Sequence, residues 1–319
     1  MAKILVTGAT GQIGTSLIPA LRKKYGGSNV IAVGHRKMPD ETFIKSGPFE
    51  IADATNKETL RNIIERYHID TIYHLVSLLS ATGEKNPDLA WNVNMGSLKN
   101  VLDFAKEYEM SRVFWPSSIA AFGPTTPRDR TPQSTILEPS TMYGVTKVSG
   151  ELLCNYYFRK YNVDVRSLRY PGIISYKALP GGGTTDYAVE IFHEALKNKK
   201  YKCYLREDST LPMMYMPDAI KATLDIMEAA PSKIKIRTSY NLAAISFSPK
   251  EIAGAIKKHI PSFECTYQPD FRQQIADSWP KVIDDSQARR DWGWRHAYDL
   301  AKMTQDMLEN LSAMLGIKF

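Results

Sequence analysis

Tyr143 and Lys147 stand four residues apart in Tyr143-Gly-Val-Thr-Lys147, which puts both side chains on one face of a helix, one turn apart. In that position an ammonium can lower a phenol from its usual pKa of ~10 towards neutrality, which suits it to take a proton from an alcohol. Such a pair occurs on many surface helices, so its meaning depends on what surrounds it. Upstream, Trp115-Pro-Ser117-Ser118 closes a strand with two hydroxyls. Ser118 can hold a substrate oxygen beside Tyr143, and Ser117 can also contact substrate, although strand-end serines also bond backbone. Nearer the N-terminus, Gly8-x-x-Gly11-x-x-Gly14 follows an apolar run and precedes a helical pattern. There Gly8 permits a tight turn, Gly11 lets backbone approach a pyrophosphate, and Gly14 allows close helix–sheet contact. The helix N-terminus favours the phosphate charge. Together these point to alcohol oxidation, or a close mechanistic relative, on a dinucleotide.

The elements that must position these groups alternate. Strands are expected at Lys3–Thr7, Val30–Val33, Thr71–Val76, Arg112–Trp115 and Val163–Arg169, with a third strand just before Asp53. Helices are expected at Ile13–Tyr25, Lys57–His68, Pro87–Glu109 and Thr141–Tyr161. This alternation predicts an α/β fold: a doubly wound parallel (Rossmann) sheet with right-handed crossovers. After Pro171 the pattern breaks up, and Pro180-Gly-Gly-Gly183 is the strongest punctuation in the chain. We expect a dinucleotide-binding domain over 1–175, to which later segments can return. Residues 176–319 should form mostly a smaller C-terminal α/β lobe covering the substrate.

Several further positions have two readings. Gly34-His35-Arg36-Lys37 ends the second strand without the carboxylate that would bind ribose hydroxyls. That basic group either tolerates the extra phosphate of NADP or is a solvent-facing turn. Asp53 is either a partner for the adenine ring or a turn aspartate. Asn94 either interrupts its helix, holds a proton-relay water near Lys147, or caps. Tyr170-Pro171-Gly172 either turns backbone towards the nicotinamide or is a plain turn. Thr184, opening a helix expected to run to Lys199, reads as an N-cap; with Thr185 it could also present free N–H groups to a carboxylate. Gln12, Ile13, Ala54 and Leu75 flank the glycine turn and strand ends and complete the cofactor-binding candidates.

Composition sets limits. With 319 residues, 43% of them hydrophobic and 24% charged, the chain can build an ample core. No apolar run is long enough to span a bilayer, and no signal region opens the chain, so a cytoplasmic protein without membrane contact is expected. The cysteines Cys154, Cys203 and Cys265 are scattered, and neither they nor His74 and His193 have metal-ligand spacing; no metal is expected. A net charge of +7 is dispersed and without a recognition signature, which argues against a nucleic-acid partner.

In these blocks the residues resemble the extended short-chain dehydrogenase/reductases, which contain the UDP-sugar epimerases. Within that group the chain is similar to the zinc-independent L-threonine 3-dehydrogenases. The resemblance runs nearly end to end, through Thr7–Gly14, Pro116–Gly123 and Tyr143–Lys147, which the whole superfamily shares. It continues in the more particular blocks Arg169–Ser175, Gly182–Tyr187, Leu211–Asp218 and Ser278–Pro280. It implies NAD as cofactor, Tyr143 as base, Lys147 as its electrostatic partner and Ser118 as the residue fixing the hydroxyl, where the family often has threonine. It also implies that Ser80, Gly182, Thr184 and Thr185 lie near the amino and carboxylate groups of an amino-acid substrate, with closure of the Gly181–Gly183 segment excluding water. Gly34 departs from the family's usual aspartate. The rival readings are a UDP-sugar epimerase or dehydratase using the same three residues, and a non-catalytic NAD(P)-binding sensor. A homodimer through the two long helices is open, since neither shows a decisive apolar outer stripe in the sequence.

Overall fold

The computed structural model describes residues 2–179, 181 and 183–319. The strands are, in chain order, β1 (Ile4–Thr7), β2 (Val30–Gly34), β3 (Phe49–Ile51), β4 (Thr71–His74), β5 (Arg112–Ser118), β6 (Val165–Tyr170), β7 (Gly172–Ile174), β8 (Lys200–Cys203), β9 (Leu211–Tyr215), β10 (Tyr240–Asn241), β11 (Ile245–Phe247) and β12 (Glu264–Tyr267). The helices up to the tyrosine segment are α1 (Gly14–Tyr25), α2 (Glu41–Lys45), α3 (Lys57–Tyr67), α4 (Ser80–Lys85), α5 (Pro87–Trp91), α6 (Ser97–Glu107) and α7 (Met142–Tyr161). After it come α8 (Tyr187–Lys197), α9 (Met216–Glu228), α10 (Pro249–Lys257), α11 (Arg272–Asp277), α12 (Ser286–Trp292) and α13 (Leu300–Leu315).

The fold is the expected α/β doubly wound one. A seven-stranded sheet has the order β10-β6-β5-β4-β1-β2-β3. β1 pairs parallel with both β2 and β4, β2 with β3, and β4 with β5. The chain therefore builds outward from β1 on one side, then crosses back to β4 and builds on the other. The reversal between β1 and β4 is the topological switch point, where the carboxyl ends of strands leave a crevice for a ligand. Two smaller sheets, β11-β9-β7 and β12-β8, lie later in the chain.

By its internal contacts the chain forms two compact units. The first comprises Met1–Ser118, Thr141–Arg169 and Ile220–Tyr240; the second comprises Ile119–Ser140, Tyr170–Ala219 and Asn241–Phe319. The core of the first gathers Leu5, Ile31, Ile72, Val113 and Trp115 from the sheet with Ile63, Leu98, Leu102, Cys154 and Tyr157 from the helices. Those strands are apolar on consecutive residues because both faces are covered.

Two elements differ from expectation. The helix expected over 87–109 is not continuous: α5 ends at Trp91, and Asn92–Gly96 makes a π-helical turn before α6. The helix expected from Thr184 begins only at Tyr187, with Asp186 at its N-cap position. The carboxylate of Asp186 accepts backbone N–H groups of Gly181 and Gly183, both at 2.8 Å, which fixes the turn ahead of the helix. α7 also leaves Val145, Leu152 and Tyr156 exposed at 38%, 60% and 50%. Their spacing puts them on one face, an apolar outer stripe that the sequence pattern alone does not single out.

Candidate active site

The glycine turn explains itself sterically. Gly8 adopts φ +75°, and a Cβ there would lie 3.0 Å from the Leu75 carbonyl carbon and 3.1 Å from the Val76 nitrogen. Gly8 thus lets the exit of β4 pass close to the end of β1. A Cβ on Gly14 would overlap the carbonyl oxygen of Gly8 and come within 2.6 Å of that of Ala9. The Gly11 N–H closes the turn on the Gly8 carbonyl at 3.1 Å. Ile13 occupies the N-cap of α1 without a side-chain cap bond, and the first turn has no acidic residue. First-turn amides therefore face no competing carboxylate, and the start of α1 suits an anion. The glycine cradle and the uncapped helix fit the pyrophosphate of a dinucleotide. Around it, Gln12 and Ile13 sit in the turn, Leu75 donates its N–H to the Thr7 carbonyl at 3.1 Å, and Ala54 is buried beyond β3. Further along the sheet, Arg36 is exposed after β2. Asp53 accepts from the Thr55 N–H at 2.8 Å and hydroxyl at 2.7 Å, which hold its carboxyl below the usual range.

α7 starts where Thr141 accepts the Gly144 N–H at 3.1 Å. Its inward face carries Gly144, Lys147, Gly150, Glu151, Cys154 and Tyr157. A Cβ on Gly150 would overlap Cη2 of the Trp115 ring and lie 2.6 Å from its Cζ2, so this glycine lets the helix approach β5 closely. Lys147 Nζ donates to the Pro116 carbonyl at 2.7 Å and stands 4.7 Å over the Trp115 ring and 5.3 Å over that of Tyr143. Burial pushes the Lys147 ammonium down to about 7, with Cys154 and Glu151 opposing. Tyr143 is half-buried and hydrogen-bonded to the Ser118 side chain. Burial pushes its phenol up to about 12, against that hydrogen bond. The phenol therefore differs from the lowered one expected from spacing alone. The cation sits over ring faces and on a carbonyl, and desolvation dominates.

Asn94 takes the first of its three expected roles, interrupting the helix. The π turn directs its side chain to the Leu78 N–H at 2.7 Å, the Leu78 carbonyl at 3.2 Å and the Thr146 hydroxyl at 3.0 Å. Thr146 in turn donates to the Tyr143 carbonyl at 2.8 Å, so Asn94 braces the turn that holds Tyr143 and Lys147. Ser117 donates to Glu151 at 2.6 Å, in a buried ion pair of Glu151 with Arg169 at 2.6 Å. The Ser117 hydroxyl thus has its proton committed to Glu151, which leaves it only accepting capacity for a substrate group. Ser80, at the start of α4, is buried.

His74, weighed in the sequence only as a metal ligand, bridges the switch point. Its Nδ1 lies 2.7 Å from the Thr7 hydroxyl and its Nε2 3.0 Å from that of Ser97. Ser97 donates to the Val93 carbonyl at 2.5 Å, so Nε2 donates to Ser97 and Nδ1 accepts from Thr7. Burial, with the Lys147 charge, pushes the ring down to about 3 and keeps it neutral. Glu151 could have been found by continuing the Tyr143–Lys147 face one further turn; Thr7, Ser97 and Thr146 gave no local signal.

The other expected residues belong to the second unit. Tyr170 is buried and its hydroxyl lies 3.3 Å from the Ala219 carbonyl. Thr184 is buried in the turn before α8 but is not its N-cap, and Thr185 packs where a Gly172 Cβ would otherwise lie. Gly182 lies outside the described residues. Among the described residues, no group of three or more His, Cys, Asp or Glu gathers to hold a metal ion, and no helix is long and apolar enough to cross a membrane.

Comparison with known proteins gives the family. Residues 4–243 match the model of the NAD dependent epimerase/dehydratase family. A Staphylococcus haemolyticus protein named an uncharacterized epimerase/dehydratase is 52% identical, with 97% of each chain covered. The structure of L-threonine dehydrogenase from Clostridium difficile superposes with a TM-score of 0.96 at 54% identity, covering 98% of each chain. The holo form of a GalE-like L-threonine dehydrogenase from Cupriavidus necator gives 0.94 at 53% identity, covering 97% of this chain and 99% of its own. With a dinucleotide cradle at the switch point and a tyrosine–lysine helix beside it, the chain belongs to the NAD-dependent epimerase/dehydratase family of extended short-chain dehydrogenase/reductases.

Proposed function

We propose that the chain is an L-threonine 3-dehydrogenase that oxidises the secondary alcohol of L-threonine to 2-amino-3-oxobutanoate. The observation that carries the substrate is the similarity, above half identity over nearly the whole of both chains, to structures described as L-threonine dehydrogenases. Bound NAD supplies the acceptor for the hydride that leaves Cβ. The chain's own residues do the rest. Ser118, hydrogen-bonded to Tyr143, fixes the substrate hydroxyl, and Tyr143 takes its proton as the carbonyl forms. A positive charge placed next to the phenol favours its ionised form, offsetting the burial that raises it. Lys147 titrates near neutrality and lies within reach of that ring. Asn94 holds the turn carrying both side chains. Ser80, Thr184 and Thr185 are assigned to the amino and carboxylate groups.

The test is the reduced-nicotinamide absorbance with free L-threonine. Net reduction is expected. A second reading comes from the epimerase/dehydratase name of the Staphylococcus relative. Turnover of a UDP-sugar without net reduction, and none of threonine, would transfer the assignment to it. We further infer a homodimer through Val145, Leu152 and Tyr156. Light scattering should report twice the chain mass, falling to one chain in Leu152→Asp; a wild-type monomer removes the inference.

A further inference from the structure

We propose that the end of β2 is a site for the 2′-phosphate of NADP(H), so that the chain binds NADP(H) at least as tightly as NAD(H). The proposal deepens the dinucleotide reading and rests on it. A carboxylate at the end of the second strand is what ordinarily accepts the ribose hydroxyls and repels a phosphate there. Here position 34 is glycine, and the structure gives a reason beyond the missing charge. A Cβ on Gly34 would lie 2.7 Å from Cζ and 3.2 Å from Cε2 of Phe49, and 3.5 Å from the Lys37 carbonyl oxygen. The Phe49 ring already occupies the direction in which an aspartate would project.

That ring is held in place. Phe43 packs edge-on against it with centroids 6.3 Å apart, and the Arg22 guanidinium stands 4.9 Å over Phe43. Arg22 is buried and donates to the carbonyls of Phe43 and Pro48 and to the Ser46 hydroxyl, each at 2.6 Å. The segment between β2 and β3 is thus tied down up to the residue before the ring. Strand β3 is locked to Gly34 itself, whose carbonyl accepts the Ala52 N–H at 2.9 Å.

The three residues after Gly34 are basic. His35, Arg36 and Lys37 are all exposed, and neither Arg36 nor Lys37 makes an ion pair within 4.0 Å among the described residues. The nearby carboxylate, Asp53, is engaged by Thr55 and lies 3.7 Å from His35. The Arg36 guanidinium, near enough to help hold the Asp53 carboxyl down but not ion-paired with it, and the Lys37 ammonium match the charge of a phosphate monoester. A ribose with free hydroxyls finds no acceptor at position 34.

Equilibrium titration of the wild-type chain with ADP-ribose and with its 2′-phosphate tests this without any turnover. Equal or tighter binding of the 2′-phosphate supports the site, and tighter binding of plain ADP-ribose overturns it. No binding of either would sink the dinucleotide reading together with this one, whereas failure to oxidise threonine touches neither. Arg36→Ala with Lys37→Ala should weaken the 2′-phosphate about tenfold more than plain ADP-ribose; equal losses would remove these two residues from the site. Gly34→Asp with Phe49→Ala should shift preference about tenfold towards plain ADP-ribose. Gly34→Asp alone should lower thermal stability, because its Cβ meets the ring. An unchanged preference in the double variant counts against the occluding role of Phe49.

Discussion

α1 and α7 flank the same sheet and contribute to the site in opposite ways. α1 offers backbone: a glycine turn leads into it, no side chain caps it, and its first turn has no acid. α7 offers side chains: a capping threonine starts it, and Lys147, Glu151 and Cys154 point inward from successive turns. The first arrangement is defined by what is missing, since one methyl group at Gly14 has no room. The second is defined by charges taken out of water, and burial moves both Tyr143 and Lys147 away from their ordinary pKa values. Binding an anion needs only fixed N–H dipoles, but moving a proton needs a group that can gain and lose one.

The largest effect should come from the tyrosine. Tyr143→Phe is expected to cut threonine turnover by roughly 10²–10⁴-fold while cofactor affinity stays within about threefold. Turnover near the wild-type value would remove Tyr143 as base. Next in size, Arg169→Leu leaves the buried Glu151 without its cation and should cost about 3–5 kcal/mol in denaturant unfolding. Adding Glu151→Leu should restore most of it, and no restoration would mean that packing rather than charge is at stake. On the α1 side, Gly14→Ala should cost about 1–3 kcal/mol and weaken dinucleotide binding. Gly254→Ala is the control: it sits within α10 with nothing within 4 Å of an added Cβ. It should gain up to about 1 kcal/mol. Equal behaviour of the two glycines would erase the contrast. The last is a pH effect. Lys147 falls from 10.5 to about 7 on folding, so between those values the unfolded chain holds a proton that the folded chain has released. Stability relative to Lys147→Met should therefore rise as pH goes from 7 towards 10.5. A flat difference in thermal melts across that window would show the lysine to be less buried than this.

Most of what the sequence revealed was local. A strand, a glycine turn and a helix succeed one another within the first 25 residues, and Tyr143 and Lys147 share one turn. Their geometry needs no distant partner, so spacing was enough. The brace behind them could not be seen in this way. Asn94 turns inward because Leu78 and Thr146 receive it, and the pattern of apolar residues around 92–96 does not register an extra residue in one turn. Thr184 looked like an N-cap because a threonine after glycines is a good one. The helix begins later, at Tyr187, and the Asp186 carboxylate binds the Gly181 and Gly183 amides ahead of it without capping it. Phe49 gave no sign of belonging to the cofactor site, since its effect on Gly34 operates across two strands.

The π turn at Asn92–Gly96 bears on how this chain can change length. An ordinary helix tolerates neither gain nor loss of one residue without rotating everything beyond it by roughly 100°. A π turn is such a gain already absorbed. Deleting any one residue of the five would let the segment relax into plain α-helix, and Asn94 or its replacement would swing away from Leu78 and Thr146. α6 and its buried Leu98, Val101 and Leu102 would keep their places, because the extra residue never rotated them. The cost of such a deletion should therefore fall on the brace behind Tyr143 and Lys147 and not on the core.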